Sequence, residues 1–149
     1  MVVCEVAGEA DIESLSKLLS ELFAQEAEFS PDPVAQARGL AAILSHPETG
    51  AILVARDGPR VLAMVNLLFT VSTALGERVA WLEDMVVHPE ARQQGVGTAL
   101  LAHALQWARQ QGVRRVTLLT DADNTVAHQL YARQGFTPSS MRPWRLHLD

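Results

Sequence analysis

The stretch from Val79 to Thr98 constrains this chain most. It runs Val79-Ala80-Trp81-Leu82-Glu83-Asp84-Met85-Val86-Val87, then His88-Pro89, then Arg92-Gln93-Gln94-Gly95-Val96-Gly97-Thr98. The segment through Val87 reads as a strand. His88-Pro89 ends it, because proline has no N–H for a ladder and holds its predecessor extended. Past Thr98, Leu100, Leu101, Ala104, Leu105 and Ala108 form one apolar stripe of a helix, with Gly112 as its expected C-cap. A strand, a glycine turn and a helix thus follow one another directly. A helix start carries N–H groups without intrahelical acceptors and a partial positive charge. Gly95 and Gly97 have no Cβ, so an anion such as a diphosphate can reach that backbone. Arg92 adds a full positive charge, fixes the turn, or does both. Thr98 offers a hydroxyl in the first turn.

The remaining elements frame this unit. Residues 2–6 are apolar and β-branched and predict a strand. Ile12, Leu15, Leu18, Leu19, Leu22 and Phe23 recur at helical spacing. Ser30-Pro31-Asp32-Pro33 predicts a loop, and Val34–Leu44 a shorter helix ending before His46-Pro47. Ala51–Ala55 and Val61–Val71 predict two strands joined by the Asp57-Gly58-Pro59 turn, hence antiparallel. Val113–Thr120 predicts a strand, Asn124–Gln134 a helix, and the tail Phe136–Leu148 two short strands. Antiparallel hairpins followed by a crossover predict an α/β (α+β) chain with a mixed sheet of six to seven strands and about four helices. A length of 149 residues without a Pro/Gly/Ser-rich linker predicts one domain, 1–149.

Charge and composition narrow the partners. The net charge of −5 disfavours nucleic acid. No apolar run approaches the ~20 residues of a membrane span, and no signal peptide is expected. The one cysteine, Cys4, lies in an apolar strand and fits a reducing, cytoplasmic setting. His46, His88, His103, His128 and His147 lack metal-ligand spacing, so no metal is expected.

Three phosphate ligands compete for the glycine turn. A P-loop needs a lysine after the second glycine, and none stands there. A dinucleotide fingerprint needs a third glycine where Leu100 stands, in a parallel unit. The pyrophosphate of coenzyme A is the third. Arg92-Gln93-Gln94-Gly95-Val96-Gly97 resembles the [QR]-x-x-G-x-[GA] signature of the GCN5-related N-acetyltransferase (GNAT) superfamily. Asn124-Thr125-Val126-Ala127-His128-Gln129-Leu130-Tyr131-Ala132-Arg133-Gln134-Gly135-Phe136 is similar to its N-x-x-A-x-x-[LF]-Y-x-x-x-G-F segment. The likeness covers residues 79–148 well and the first half only in element order. Leu82-Glu83-Asp84 and Trp144-Arg145-Leu146 look most like spermidine/spermine and thialysine acetyltransferases. Glucosamine-phosphate acetyltransferases share the acidic pair.

The resemblance implies the GNAT fold with splayed strands at a coenzyme A cleft. It implies acetyl-CoA as cofactor and transfer of its acetyl group to a primary amine by direct attack in a ternary complex. The amine would be polyamine-like, lysine-like or an amino sugar. Backbone atoms of Met85, Val86 and Val87 would bond the pantetheine arm. Arg92, Gln93, Gln94, Gly95, Val96, Gly97 and Thr98 would hold the diphosphate. Asn124 is a helix N-cap candidate that the resemblance also sets against pantetheine. Tyr131, the one tyrosine, would protonate the leaving thiolate, or pack as a half-buried ring.

An amine of pKa ~10 needs a base or a water relay at neutral pH. Glu83 and Asp84 are adjacent on a strand and point to opposite faces, so one of them can serve a given pocket. The residues themselves do not choose; the resemblance favours Glu83. Both are otherwise solvated edge carboxylates. Gln25, Glu26 and Glu28 at the end of the first helix, Asp121, Asp123 and Trp144 are substrate-side candidates. A solvated acidic rim, and sheet packing for Trp144, compete with that role. Family habit suggests a homodimer through the C-terminal strands. The rival functions are a non-catalytic acyl-CoA sensor and a protein N-terminal or lysine acetyltransferase.

Overall fold

The computed structural model describes residues 1–148, which fall into two compact units, 1–118 and 119–148. The first unit holds β1 (Val2–Val6), α1 (Ile12–Gln25), α2 (Pro33–Leu44), β2 (Gly50–Asp57), β3 (Arg60–Ser72), β4 (Glu77–Val87), α3 (Val96–Gln110) and β5 (Val116–Leu118). The strands lie in the order β1-β2-β3-β4-β5. The first three pairings are antiparallel and β4–β5 is parallel. The mixed sheet follows from the short connections: hairpins join β2 to β3 and β3 to β4, and helix α3 carries the chain across to β5.

Both faces of the sheet are covered, so Ile52, Leu53, Val54 and Ala55 are all buried and β2 reads as an unbroken apolar run. On one face, Leu15, Leu18 and Leu19 of α1 and Leu40 of α2 pack with Ile52, Val54, Met64 and Val86. On the other, α3 meets β1, β2, β3 and β4, and Trp107 stacks on Phe69 with centroids 5.8 Å apart. The start of α2 follows its sequence: Pro33 takes the first helical position and Asp32 Oδ1 accepts from the Ala35 N–H at 3.2 Å. Buried Gln36 ties α2 to α1, donating to Ser16 O at 3.0 Å and Ser20 Oγ at 3.0 Å. Arg56 grips Asp11 with two bonds of 3.0 Å and also pairs with Glu5, which fastens the segment before α1 to β2.

The second unit holds α4 (Thr125–Arg133). Asn124 caps it, Oδ1 accepting from the Ala127 N–H at 3.2 Å. The Tyr131 and Phe136 rings meet edge to face at 5.7 Å.

Two expectations are corrected. The sheet has five strands among the described residues, not six to seven, because the tail 136–148 forms none. Trp144, Leu146 and Leu148 alternate with strand period but are 95%, 83% and 87% exposed. Alternation makes a strand only where a neighbouring ladder takes up the N–H and C=O groups. The second correction is β5, which spans Val116–Leu118 and not Val113–Thr120. Among the described residues its ladder with β4 stops at Leu82–Leu118, short of Thr120. Before Val116 the two segments share the bonds from Ala80 N–H to Arg115 O and from Arg114 N–H to Arg78 O, each 2.9 Å.

Candidate active site

The end of β4 departs from regular strand geometry in two ways. The β3–β4 register shifts between Met64 and Asn66, where Asp84 and Met85 of β4 together face one residue of β3, and in that bulge Asp84 stands at φ 56°. Such a left-handed residue costs about 1–3 kcal/mol, and aspartate tolerates it better than most. Past Leu82, β4 has no β5 partner among the described residues. Met85, Val86 and Val87 therefore keep an unladdered main-chain edge on that side.

The bulge separates the two adjacent acids. Glu83 is exposed. Asp84 is half-buried and lines a cavity of about 270 Å³ that also involves α1, α2 and the segment between them. Leu19, Phe23, Phe29, Leu40 and Ile43 give it apolar walls. Its polar lining residues are Ser30, Asp32, Gln36, Asn66 and Asp84. Asn66 Nδ2 donates to Asp84 Oδ2 at 2.6 Å. Burial pushes the Asp84 carboxyl up to about 6; the nearby Glu83 carboxylate adds to the rise, and the Asn66 bond opposes it. A buried carboxyl poised near neutrality is suited to proton transfer.

The glycine turn follows. Gln93 and Gly95 take φ 63° and 77°, and Gly95 is the N-cap of α3. Ala99 N–H bonds Gly95 O at 3.0 Å, so the Val96, Gly97 and Thr98 N–H groups precede the first intrahelical bond. Nothing lies within 4 Å of where a Gly95 Cβ would project, and the first turn of α3 carries no acid. Arg92 fixes the turn: its Nε donates to Val87 O at 3.1 Å. Gln94 Nε2 donates to Glu90 O at 3.1 Å. Open amides, an αL glycine and a cation fit a diphosphate, and the unladdered edge of β4 fits an amide-bearing arm.

The sequence-predicted residues divide between the units. Met85–Val87 and Arg92–Thr98 share one continuous strand end and turn in the first unit. Gln25 and Glu26 close α1 outside the cavity lining. Asn124, Tyr131, Asp121, Asp123 and Trp144 belong to the second unit. Asn124 serves as the N-cap that its position predicts. Tyr131 is half-buried, the two aspartates are exposed, and Trp144 is almost wholly exposed. Sequence reasoning missed Asn66, Phe23 and Phe29. Asn66 had a signal: it is the one polar residue between Val61 and Phe69, in a strand buried on both faces.

A family model described as "Acetyltransferase (GNAT) family" matches residues 12–136. The chain belongs to that family. The GNAT assignment makes it an acyltransferase, and acetyl-CoA is the acyl donor of GNAT acetyltransferases. It is 32% identical over 144 residues to the aminoalkylphosphonate N-acetyltransferase of Salmonella typhimurium, covering 95% of this chain and 90% of that protein. A solved structure of a probable acetyltransferase superposes with a TM-score of 0.83 at 26% identity, over 100% of this chain and 98% of that one. Glucosamine-6-phosphate N-acetyltransferase from Arabidopsis thaliana shares the fold, with a TM-score of 0.76 at 17% identity, over 98% of each chain. The expected GNAT fold is thus the observed one. The finer likeness to polyamine and thialysine enzymes rests on Leu82–Asp84 and Trp144–Leu146 alone.

Proposed function

We propose that this GNAT protein is a small-molecule N-acetyltransferase, a single catalytic domain whose acceptor amine enters the cavity lined by Asp84. One observation carries this reading: of the two adjacent acids, Asp84 lines a half-enclosed cavity beside the unladdered end of β4, and Glu83 faces solvent. Bound acetyl-CoA supplies the thioester carbonyl that the amine attacks. Met85, Val86 and Val87 hold the pantetheine amides by their main chain, and the turn from Arg92 to Thr98 holds the diphosphate. Asp84 receives a hydrogen bond and then a proton from the substrate ammonium, leaving the nitrogen lone pair free. In an apolar cavity the ammonium itself is less basic than in water, which narrows the pKa gap that Asp84 must bridge. Tyr131, by resemblance, returns a proton to the leaving thiolate, and Asn124 assists at the pantetheine arm.

The acceptor is a primary amine, with polyamine-like, lysine-like and amino-sugar amines, and the substrate class named for the Salmonella relative, as the classes that resemblance and relatives put forward. A cytoplasmic homodimer completes the reading, with the exposed tail residues Trp144, Leu146 and Leu148 as its contact. Thiol release from acetyl-CoA with a panel of primary amines, polar and apolar, tests the function. Turnover on any of them supports it. Tight coenzyme A binding with no turnover on any amine favours an acyl-CoA sensor, and preference for peptide amines favours a protein acetyltransferase.

A further inference from the structure

The cavity's polar groups are unequally committed. Gln36 spends its amide on Ser16 and Ser20, and its Oε1 accepts from the Asp32 N–H at 2.8 Å. Asp32 is engaged as the cap of α2. Asn66 differs. It is 3% exposed, its Nδ2 is given to Asp84, and its Oδ1 is buried without a hydrogen-bond partner among the described residues. A buried carbonyl oxygen left unpaired costs roughly 1–3 kcal/mol, so such an atom calls for a donor. Beside it stands a carboxylate, a second acceptor. Two acceptors side by side match a primary ammonium, which offers three N–H donors.

The rest of the lining limits what can be attached to that ammonium. It contains no lysine, arginine or histidine, and both its charged residues are acids. A phosphonate or phosphate on the substrate would meet carboxylates and no counter-charge. Its walls are Leu, Ile and Phe, with Phe23 and Phe29 tilted against each other at 5.6 Å. A long polycation or a hydroxyl-rich sugar carries more polar groups than Ser30 and the Asp32 carboxylate can match beyond the Asn66–Asp84 pair, and would bury the remainder against Leu, Ile and Phe. At about 270 Å³ the cavity falls just under the usual ligand-pocket range of about 300–1,000 Å³.

We propose that Asn66 and Asp84 together seat the acceptor's ammonium, and that the acceptor is a primary amine with a compact apolar or aromatic body. Asn66 acts as a positioning residue: Nδ2 orients Asp84 and Oδ1 takes a second ammonium N–H. The proposal rests on the N-acetyltransferase reading above and narrows its substrate.

The experiment pairs thiol release with calorimetric titration of amine into the coenzyme A complex. The probes are 2-phenylethylamine and 3-methylbutylamine against spermidine and 1-aminoethylphosphonate. The expected result is at least tenfold higher kcat/KM and tighter binding for the two apolar amines. Asn66→Leu should raise the KM for amine at least tenfold and leave the KM for acetyl-CoA unchanged. Asn66→Asp keeps an acceptor but replaces the donor with a like charge, so the acid limb of its pH–rate profile should move to higher pH. A purely structural asparagine would not move that limb. Preference for spermidine or the phosphonate overturns the proposal while leaving the acetyltransferase reading intact. So does an Asn66→Asp profile identical to the parent's. Absence of both turnover and amine binding overturns both.

Discussion

Asp11 and Asp84 are two carboxylates against the same sheet, and their surroundings drive them in opposite directions. Asp11 accepts from both terminal guanidinium nitrogens of Arg56 and from the Gly8 N–H at 2.9 Å. The Arg56 bonds hold its carboxyl below the usual range. Asp84 has an amide and another acid for neighbours and is pushed up to about 6. A carboxylate matched with a guanidinium fork is a fastener. One buried without a cation is a stored cost, and proteins keep such costs where chemistry needs them.

The sharpest contrast lies in substituting each acid by its amide. Asp84→Asn should lower kcat/KM on any accepted amine by at least about 100-fold, the lower range for a general base. The same change should raise thermal stability, because an amide pays no ionisation cost. A displacement of roughly two units, from the ordinary 3.8 to about 6, corresponds to about 2–3 kcal/mol at neutral pH. Asp11→Asn should do the reverse, costing about 1.5–3 kcal/mol in denaturant unfolding with kcat little changed.

The pH dependence separates them again. Asp84 has its folded pKa raised, so its contribution to stability is fully present below 3.8 and is lost as pH rises toward about 6. Asp11 has its folded pKa lowered, so its contribution is present above 3.8 and is lost as pH falls below it. Stability measured from pH 3 to 7 should therefore lose its falling component in Asp84→Asn and its acid-side drop in Asp11→Asn.

A smaller effect is expected at the turn. Gly95→Val should raise the KM for acetyl-CoA about tenfold, since φ 77° disfavours a β-branched residue. Gly95→Asn, which tolerates that conformation, should change it less than threefold. The smallest effect belongs to Glu83→Gln, which should leave kcat/KM within about threefold of the parent.

Much of this arrangement was legible in the chain. The apolar periods of α1, α3 and β2 gave their places, and Arg92–Thr98 marked the turn. Two parts were not legible. Strand alternation says that Glu83 and Asp84 face apart, but it does not say which side holds the cavity. That follows from the bulge at Asp84 and Met85, between the Met64–Val86 and Asn66–Glu83 pairs, a register shift that depends on the partner strand. The tail was misread for a related reason: Trp144, Leu146 and Leu148 have strand period, yet period alone supplies no ladder. Phe23 and Phe29 escaped notice because one closes a core stripe and the other lies in a loop, and only their proximity makes a wall.

The most direct test is the carboxyl titration of Asp84, read from the side-chain carbon signal of aspartate-labelled protein and assigned by its loss in Asp84→Asn. The account predicts a midpoint near 6, moving down when 2-phenylethylamine and coenzyme A are added, because a seated ammonium favours the ionised acid. A midpoint at or below 3.8 without the amine, or one near 6 that the amine leaves unmoved, would contradict it.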